Sequence, residues 1–370
     1  MKKLAKCLII CLIPLILTGC FNYEDINKVT FATSVIFDAD DFGNTVVYLD
    51  CIKSYRSTND SSDKGRRIIY KGIGKTTLEA LKDVSGASSF KLNYSQCRAY
   101  IFTEKAAKAG IKKYLDLINN NQQFQIKPNM FVYYGEIDDL LQLTTGDEEY
   151  LGLYLNDLSQ KNKYNPRAME VNTNRYLSDS LMGSNTNVVG AIQIRKDALD
   201  KKVEISGGAV LKDNVLVERI KASDSLSYNL LINGVKGGTL EMLNPQSKES
   251  FITLEILESN TISDIEYDGS TVNLIKNIDM RVAIGEAQGT LLVNKELLDY
   301  IKVTKEEEVK RKLTEVFEKY KAENLDIFNV ERLMEIKYSN EQIEDLLAKT
   351  NLKINVNLVI DGTGVVKNSL

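Results

Sequence analysis

Val203-Glu204-Ile205-Ser206-Gly207-Gly208-Ala209-Val210-Leu211-Lys212-Asp213-Asn214-Val215-Leu216-Val217-Glu218 is the stretch that decides how the second half of this 370-residue chain folds. Two runs of β-forming residues, Val203 to Lys212 and Val215 to Glu218, flank Lys212-Asp213-Asn214, a turn so short that the strands must return antiparallel. Upstream, Val188 to Ile194 reads as a further strand, and polar Asp197 to Lys202 as a domain boundary. Downstream, Ser223 to Ile232 reads as a helix. Phe251 to Ser259 and Thr271 to Glu286 read as strands around an Asp268-Gly269 hairpin turn. Thr304 to Lys321 carries Val309, Leu313, Val316, Phe317 and Tyr320 on one stripe, with Thr304 and Glu307 spaced as a capping box. Glu306 to Glu308 and Lys310 to Lys312 form its solvated face. Asn351 to Ile360 closes the chain as an alternating strand, with Leu352, Ile354, Val356 and Leu358 facing one way. Strands and helices segregated in this manner predict an α+β fold.

The first half adds to that expectation. Val29 to Phe37 and Thr45 to Cys51 form a hairpin across the turn cluster 38–44. That turn is acidic, but Phe42 stands at a ligand position of a calcium loop and Leu49 where a bidentate Glu is required, so it is not one. Ser57 to Gly65 reads as a loop and Arg66 to Lys71 as a strand. Thr76 and Glu79 have capping-box spacing and open a helix to about Val84. Gly74-Lys75-Thr76 lacks the first glycine of a phosphate loop, because Ile69 occupies that place. Gln96 to Phe102 and Asn129 to Tyr134 read as strands, and Glu104 to Asn119 as one helix burying Ile111, Leu115 and Ile118. Ile137 to Leu143 and Glu149 to Asn162 read as two further helices. Asn165 to Ser184, poor in apolar periodicity, reads as a surface loop able to pack against a partner. The expected architecture is several mixed or antiparallel sheets flanked by helices, in two or three domains. Residues 20–200 form the N-terminal α+β part and 201–370 the C-terminal one.

Residues 1–19 stand apart. Lys2, Lys3 and Lys6 precede an apolar run, Leu8 to Leu17, that is too short to span a bilayer, and Leu17-Thr18-Gly19-Cys20 follows it as a bacterial lipobox. The reading is a cleaved signal peptide with Cys20 as the new N-terminus, carrying an S-diacylglyceryl group and an N-acyl chain. Each buried methylene contributes about 0.8 kcal/mol, so two or more chains anchor stably. No other run approaches the length of a membrane span. Loss of the three signal lysines takes the formal charge from −4 to −7, which leaves no footprint for nucleic acid.

Catalytic chemistry has little to stand on. The chain has no His, which removes the commonest general base and metal ligand, and it has no Trp. Carboxylate pairs such as Asp138-Asp139 and Glu148-Glu149 are sequence neighbours and read as exposed charges. Of five Cys, only Cys51 and Cys97 belong to the folded part, and their apolar surroundings read as buried free thiols. The expectation is a protein with no catalytic, metal or cofactor site, Cys20 being its single modified residue.

Several segments together resemble the Ger(x)C, or GerAC-type, lipoprotein subunit of bacterial spore germinant receptors. They are Phe21-Asn22-Tyr23-Glu24-Asp25-Ile26-Asn27 after the cysteine, Gly74 to Ala80, Tyr94-Ser95-Gln96, Ser206 to Val217, Leu230 to Gly238, and Tyr320 with Asp326-Ile327-Phe328. Phe21 replaces a Trp of the family pattern, and Gln96 stands where a His is expected, which argues against a catalytic role there. The resemblance implies a few mixed α/β domains without enzymatic activity. It implies a lipid tether to the outer face of the spore inner membrane, beside a multispanning A subunit and a permease-like B subunit, in a complex that triggers germination on sensing a nutrient. It assigns no nutrient contact to any residue of this chain. The alternative is a substrate-binding lipoprotein of a solute importer, which needs two regular βα lobes around a ligand cleft.

Overall fold

A computed structural model describes residues 28–53, 66–143, 148–161, 165–197, 200–341 and 343–361. The signal peptide, Cys20 and the expected loop 57–65 lie outside the described residues.

The first sheet is built from β1 (Val29–Ala39), β2 (Thr45–Lys53), β3 (Arg66–Gly74), β4 (Lys91–Asn93), β5 (Ala99–Thr103), β6 (Asn129–Tyr134), β7 (Thr186–Asp197), β8 (Asp200–Lys212) and β9 (Val215–Ile220). Its order is β3-β2-β1-β5-β6-β7-β8-β9, with β4 also paired to β1. The centre, β1-β5-β6-β7, is parallel, and an antiparallel hairpin extends it on either side. Helices cover both faces, so β1 is buried at nearly every position, as a central strand must be. Phe37, Tyr100, Phe102 and Val132 point to the face held by α1 (Thr77–Ala87), α2 (Glu104–Lys108), α3 (Lys112–Asn120) and α6 (Thr173–Asp179). Ile36, Ile101, Phe131 and Tyr133 point to the face held by α4 (Ile137–Leu141) and α5 (Leu151–Lys161).

The second sheet, in order β10-β11-β12-β13, comprises β10 (Gly238–Leu243), β11 (Phe251–Tyr267), β12 (Val272–Ala287) and β13 (Thr350–Ile360). Its inner face packs on α7 (Ala222–Leu231), α8 (Lys295–Ala322) and α9 (Val330–Lys337). The architecture is therefore α+β, two sheets flanked by helices.

Several local expectations match closely. The Thr76 side chain accepts from Glu79 N–H at 3.2 Å, and Glu79 answers by accepting from Lys75 N–H at 2.7 Å. Asp213 and Asn214 both adopt positive φ, 52° and 65°, which gives the tight β8–β9 turn the twist that suits a hairpin. Cys51 and Cys97 are buried free thiols. Burial pushes both up, Cys97 to about 12, so neither is a nucleophile.

Other elements depart from the sequence reading. The helix expected over Glu104 to Asn119 is two helices, broken at Gly110, whose φ of +98° no helix accommodates. The Ile111 N–H freed there donates to Asn214 O at 2.8 Å. The long helix starts nine residues before Thr304, at Lys295, because Asn294 accepts from Leu297 N–H at 2.8 Å, leaving Thr304 inside the helix. The closing strand β13 runs parallel to β12. The stretch 203–218, assigned to the C-terminal part, hydrogen-bonds into the first sheet. Asp197 and Asp200 pair at the end of the β7–β8 hairpin, so one sheet runs through the expected boundary and the second sheet begins only at Gly238.

One core position of β12 is a lysine. Lys276 is 2% exposed and donates to Ser263 Oγ at 2.8 Å. Burial, opposed by the charge of buried Asp326, pushes its ammonium down to about 8. A lysine depressed in the folded state costs stability below that value and recovers it as pH rises toward its unfolded value. Stability of the protein relative to a Lys276→Met variant is thus expected to rise by about 2 kcal/mol between pH 8 and 10, read by urea unfolding. A flat difference would show that the lysine reaches water.

Candidate functional site between the two sheets

The segment expected as the surface loop Asn165–Ser184 is instead the strap that joins the two sheets. Its hydrogen bonds explain why it lacks periodicity: each group finds a different partner. Arg167 O accepts from Gly207 N–H at 3.0 Å, and Val171 O accepts from Met130 N–H at 2.9 Å. The buried Asn229 amide of α7 donates to Pro166 O and Ala168 O at 2.8 and 3.1 Å. Asn172 then caps α6 by accepting from Arg175 N–H at 2.8 Å.

Met169 threads the strap into the core through a slot made by glycine. Gly190 and Gly208 are register partners on β7 and β8. A Cβ on Gly208 would lie 2.2 Å from Met169 Sδ, and one on Gly190 2.6 Å from Met169 O. Gly207, at φ +83°, brings its backbone against Ile220 O, where a Cβ would sit at 2.1 Å. The Ser206-Gly207-Gly208 signature thus has a packing cause. Gly208→Val is expected to cost about 1 to 3 kcal/mol by overpacking. Gly285→Ala, whose Cβ meets nothing closer than 3.6 Å, serves as the control. Equal midpoints for the two would remove the slot from the account.

Beyond the strap, α6 reaches the second sheet's helices. Arg332 of α9 pairs with Asp179, Gly183 N–H donates to Glu335 at 2.9 Å, and Lys212 Nζ donates to Asn324 O at 3.1 Å. Under these contacts lies a cavity of about 470 Å³ lined by Arg175, Asp179, Asn187, Tyr228, Asn229 and Lys236 among others. Tyr228 is 6% exposed, and burial raises its phenol well above its ordinary value, with Arg175 opposing. The lining offers hydrogen bonding and mixed charge. Among the described residues no group of three or more His, Cys, Asp or Glu is placed to hold a metal ion.

Of the residues singled out in the sequence, Cys20 lies outside the described residues. Gln96 is exposed and accepts from Arg98 at 3.4 Å, while Lys75 is exposed at the start of α1. Asp326-Ile327-Phe328 lies in the core behind the cavity, which Ile327 lines. Asn229, Tyr228 and Met169 carried no local signal, since their partners lie elsewhere in the chain.

Comparison with known proteins agrees with this two-sheet arrangement. The chain belongs to the GerAC family of spore germination proteins: residues 22–194 match the domain described as "Spore germination protein N-terminal domain" and residues 206–364 the one described as "Spore germination B3/ GerAC like, C-terminal". It is 20% identical over 358 residues to the spore germination protein GerQC of Bacillus cereus, covering 96% of this chain and 97% of that protein. It is 24% identical over 241 residues to the YfkR protein of Bacillus subtilis (strain 168), covering 63% and 62%. The crystal structure of the GerBC protein shares the fold, with a TM-score of 0.58 at 15% identity over 92% of this chain and 99% of that one. No helix among the described residues is long and apolar enough to cross a membrane.

Proposed function

We propose that this protein is the lipid-anchored C subunit of a spore germinant receptor, a non-catalytic adaptor needed for nutrient-triggered germination beside membrane-embedded A and B subunits. The observation that carries the reading is the lipobox ending at Cys20 directly ahead of a GerAC domain pair. A lipid on Cys20 would hold the domains at the outer face of the spore inner membrane, so each encounter with a membrane subunit becomes effectively intramolecular and modest interface affinity suffices. Leu181, 85% exposed at the end of the strap, is a side chain available to such a partner.

A strain lacking the gene is expected to lose the fall in spore refractility after nutrient addition while still germinating with a receptor-independent trigger. An unchanged nutrient response would count against the assignment. Cys20→Ala is expected to shift the protein from the membrane pellet to the supernatant, and continued sedimentation would end the anchoring reading. The importer alternative requires two regular βα lobes, whereas the second sheet here is an antiparallel meander with one parallel strand.

A further inference from the structure

The cavity between the sheets is wide enough for a solute. Its volume of about 470 Å³ falls within the roughly 300 to 1,000 Å³ of small-molecule sites. Met169, Val188 and Ile327 supply a buried apolar part of the lining. The polar groups around them have spent only part of their bonding capacity. Tyr228 is buried, yet its phenol makes no hydrogen bond among the described residues. Asn187, also buried, donates its amide to Ser180 Oγ at 3.0 Å and leaves Oδ1 without a donor among the described residues. A buried polar group without a partner is costly, so folded proteins give such groups one.

Charge sets the sign of the missing partner. Asp179 is shared by two guanidinium groups: Arg332 pairs with one of its oxygens, and Arg175 Nε lies 3.4 Å from the other. One positive charge is left over, and the two terminal nitrogens of Arg175 have no partner among the described residues. Lys236, exposed on the border, adds another cation. The remaining carboxylate of the lining, Glu170, accepts from Asn129 Nδ2 at 3.1 Å. Arg175 acts electrostatically on the Tyr228 phenol, so the guanidinium and the unpaired hydroxyl lie within reach of each other.

We propose that this cavity binds a small hydroxylated carboxylate, its carboxylate held by the Arg175 guanidinium and the Tyr228 hydroxyl and its own hydroxyls by Asn187 and Asn233. The paired N–H groups of a guanidinium match a carboxylate in geometry as well as charge. Asn187 Oδ1 calls for a donor, which a ligand hydroxyl supplies. Asn233, whose Oδ1 accepts from Thr261 N–H at 2.8 Å, keeps its Nδ2 to donate to a ligand hydroxyl. Arg175 and Asn187 belong to α6 and β7, whereas Tyr228 and Asn233 belong to α7 and the residues just after it. The occupant therefore bridges the first sheet and the helices of the second. The site makes no use of Cys20 and stands apart from the receptor reading.

The test uses the full-length protein in detergent and three probes with one hydroxylated carbon chain: gluconate, glucitol and glucamine, at ionic strength matched with sodium chloride. Gluconate is expected to raise the thermal midpoint saturably and to slow proteolysis within 165–184, while the neutral and cationic probes do neither. Arg175→Gln, at an exposed position, and Tyr228→Phe, which keeps the ring against Phe328, retain the unliganded midpoint. Each is expected to weaken gluconate by about tenfold or more, the effect of losing one hydrogen bond to a charged group. An equal shift from glucitol would leave charge no part in binding, and one from glucamine would reverse its sign. No saturable shift by gluconate at tens of millimolar, or an affinity unchanged in both variants, would empty the site. Each of these results would overturn the proposal.

Discussion

Asp326→Ala is expected to lower the free energy of unfolding by about 2 to 4 kcal/mol, since two N–H groups, each costing about 1 to 3 kcal/mol when buried without a partner, lose their acceptor. Asp326 is 3% exposed and accepts from Val330 and Glu331 N–H at 2.9 and 2.8 Å. It therefore caps α9 in place of Asn329, which sits at φ 63° and makes no side-chain cap bond. Its charge also opposes the desolvation of Lys276, whose own hydrogen bond is to Ser263 Oγ, so the larger effect of its loss falls on the two helix donors. Burial, the larger effect, still raises the Asp326 carboxyl above its ordinary value. Urea unfolding at pH 7 reads the change. Asp326→Asn, which keeps an acceptor but not the charge, is expected to fall between the two. A loss under about 1 kcal/mol for the alanine variant would show that neither role matters.

Phe328→Ala is expected to cost about 3 to 5 kcal/mol, the range for deleting a buried aromatic ring. Phe328 is 1% exposed, and its ring lies 5.2, 6.2 and 6.4 Å from those of Phe317, Tyr228 and Tyr320, which joins α8 to α7. Tyr228 also lines the cavity between the sheets, so the variant is expected to loosen that junction. Limited proteolysis within 165–184 should accelerate along with the fall in denaturation midpoint. Phe328→Leu, closer in volume, is expected to cost under about 1.5 kcal/mol. A Phe328→Ala loss no greater than that of Phe42→Ala, at a 92% exposed turn position, would contradict the packing argument.

Elements stabilised by near neighbours were legible in the sequence. The β1–β2 hairpin, the Thr76 to Glu79 capping box, the Asp213-Asn214 turn and the alternation of β13 all rest on residues within a few positions of one another. The strap was illegible because it is stabilised by distant groups: Met169 needs glycines at 190 and 208, and the carbonyls of 166 and 168 need Asn229. The start of the long helix was missed for a different reason. Thr304 and Glu307 match the spacing of a cap, but Asn294 offers one earlier, and the helix continues through Thr304 because nothing there stops it. At the site, the glycine signature was visible as a motif without its cause, whereas Tyr228 was visible as a lining residue only once the chain was folded.

The parallel pairing of β13 with β12 has a consequence for biogenesis. The strand that completes the second sheet is the last one described, and α8 and α9 lie between it and its partner. Pairings between segments so far apart in sequence form slowly. Until β13 arrives, the edge of β12 presents unmatched amide and carbonyl groups, a template for joining another chain. Synthesis from the N-terminus delivers this strand only after α8 and α9 have emerged. Truncation before Thr350 would leave an adhesive sheet edge and a core lacking Ile354 and Leu358.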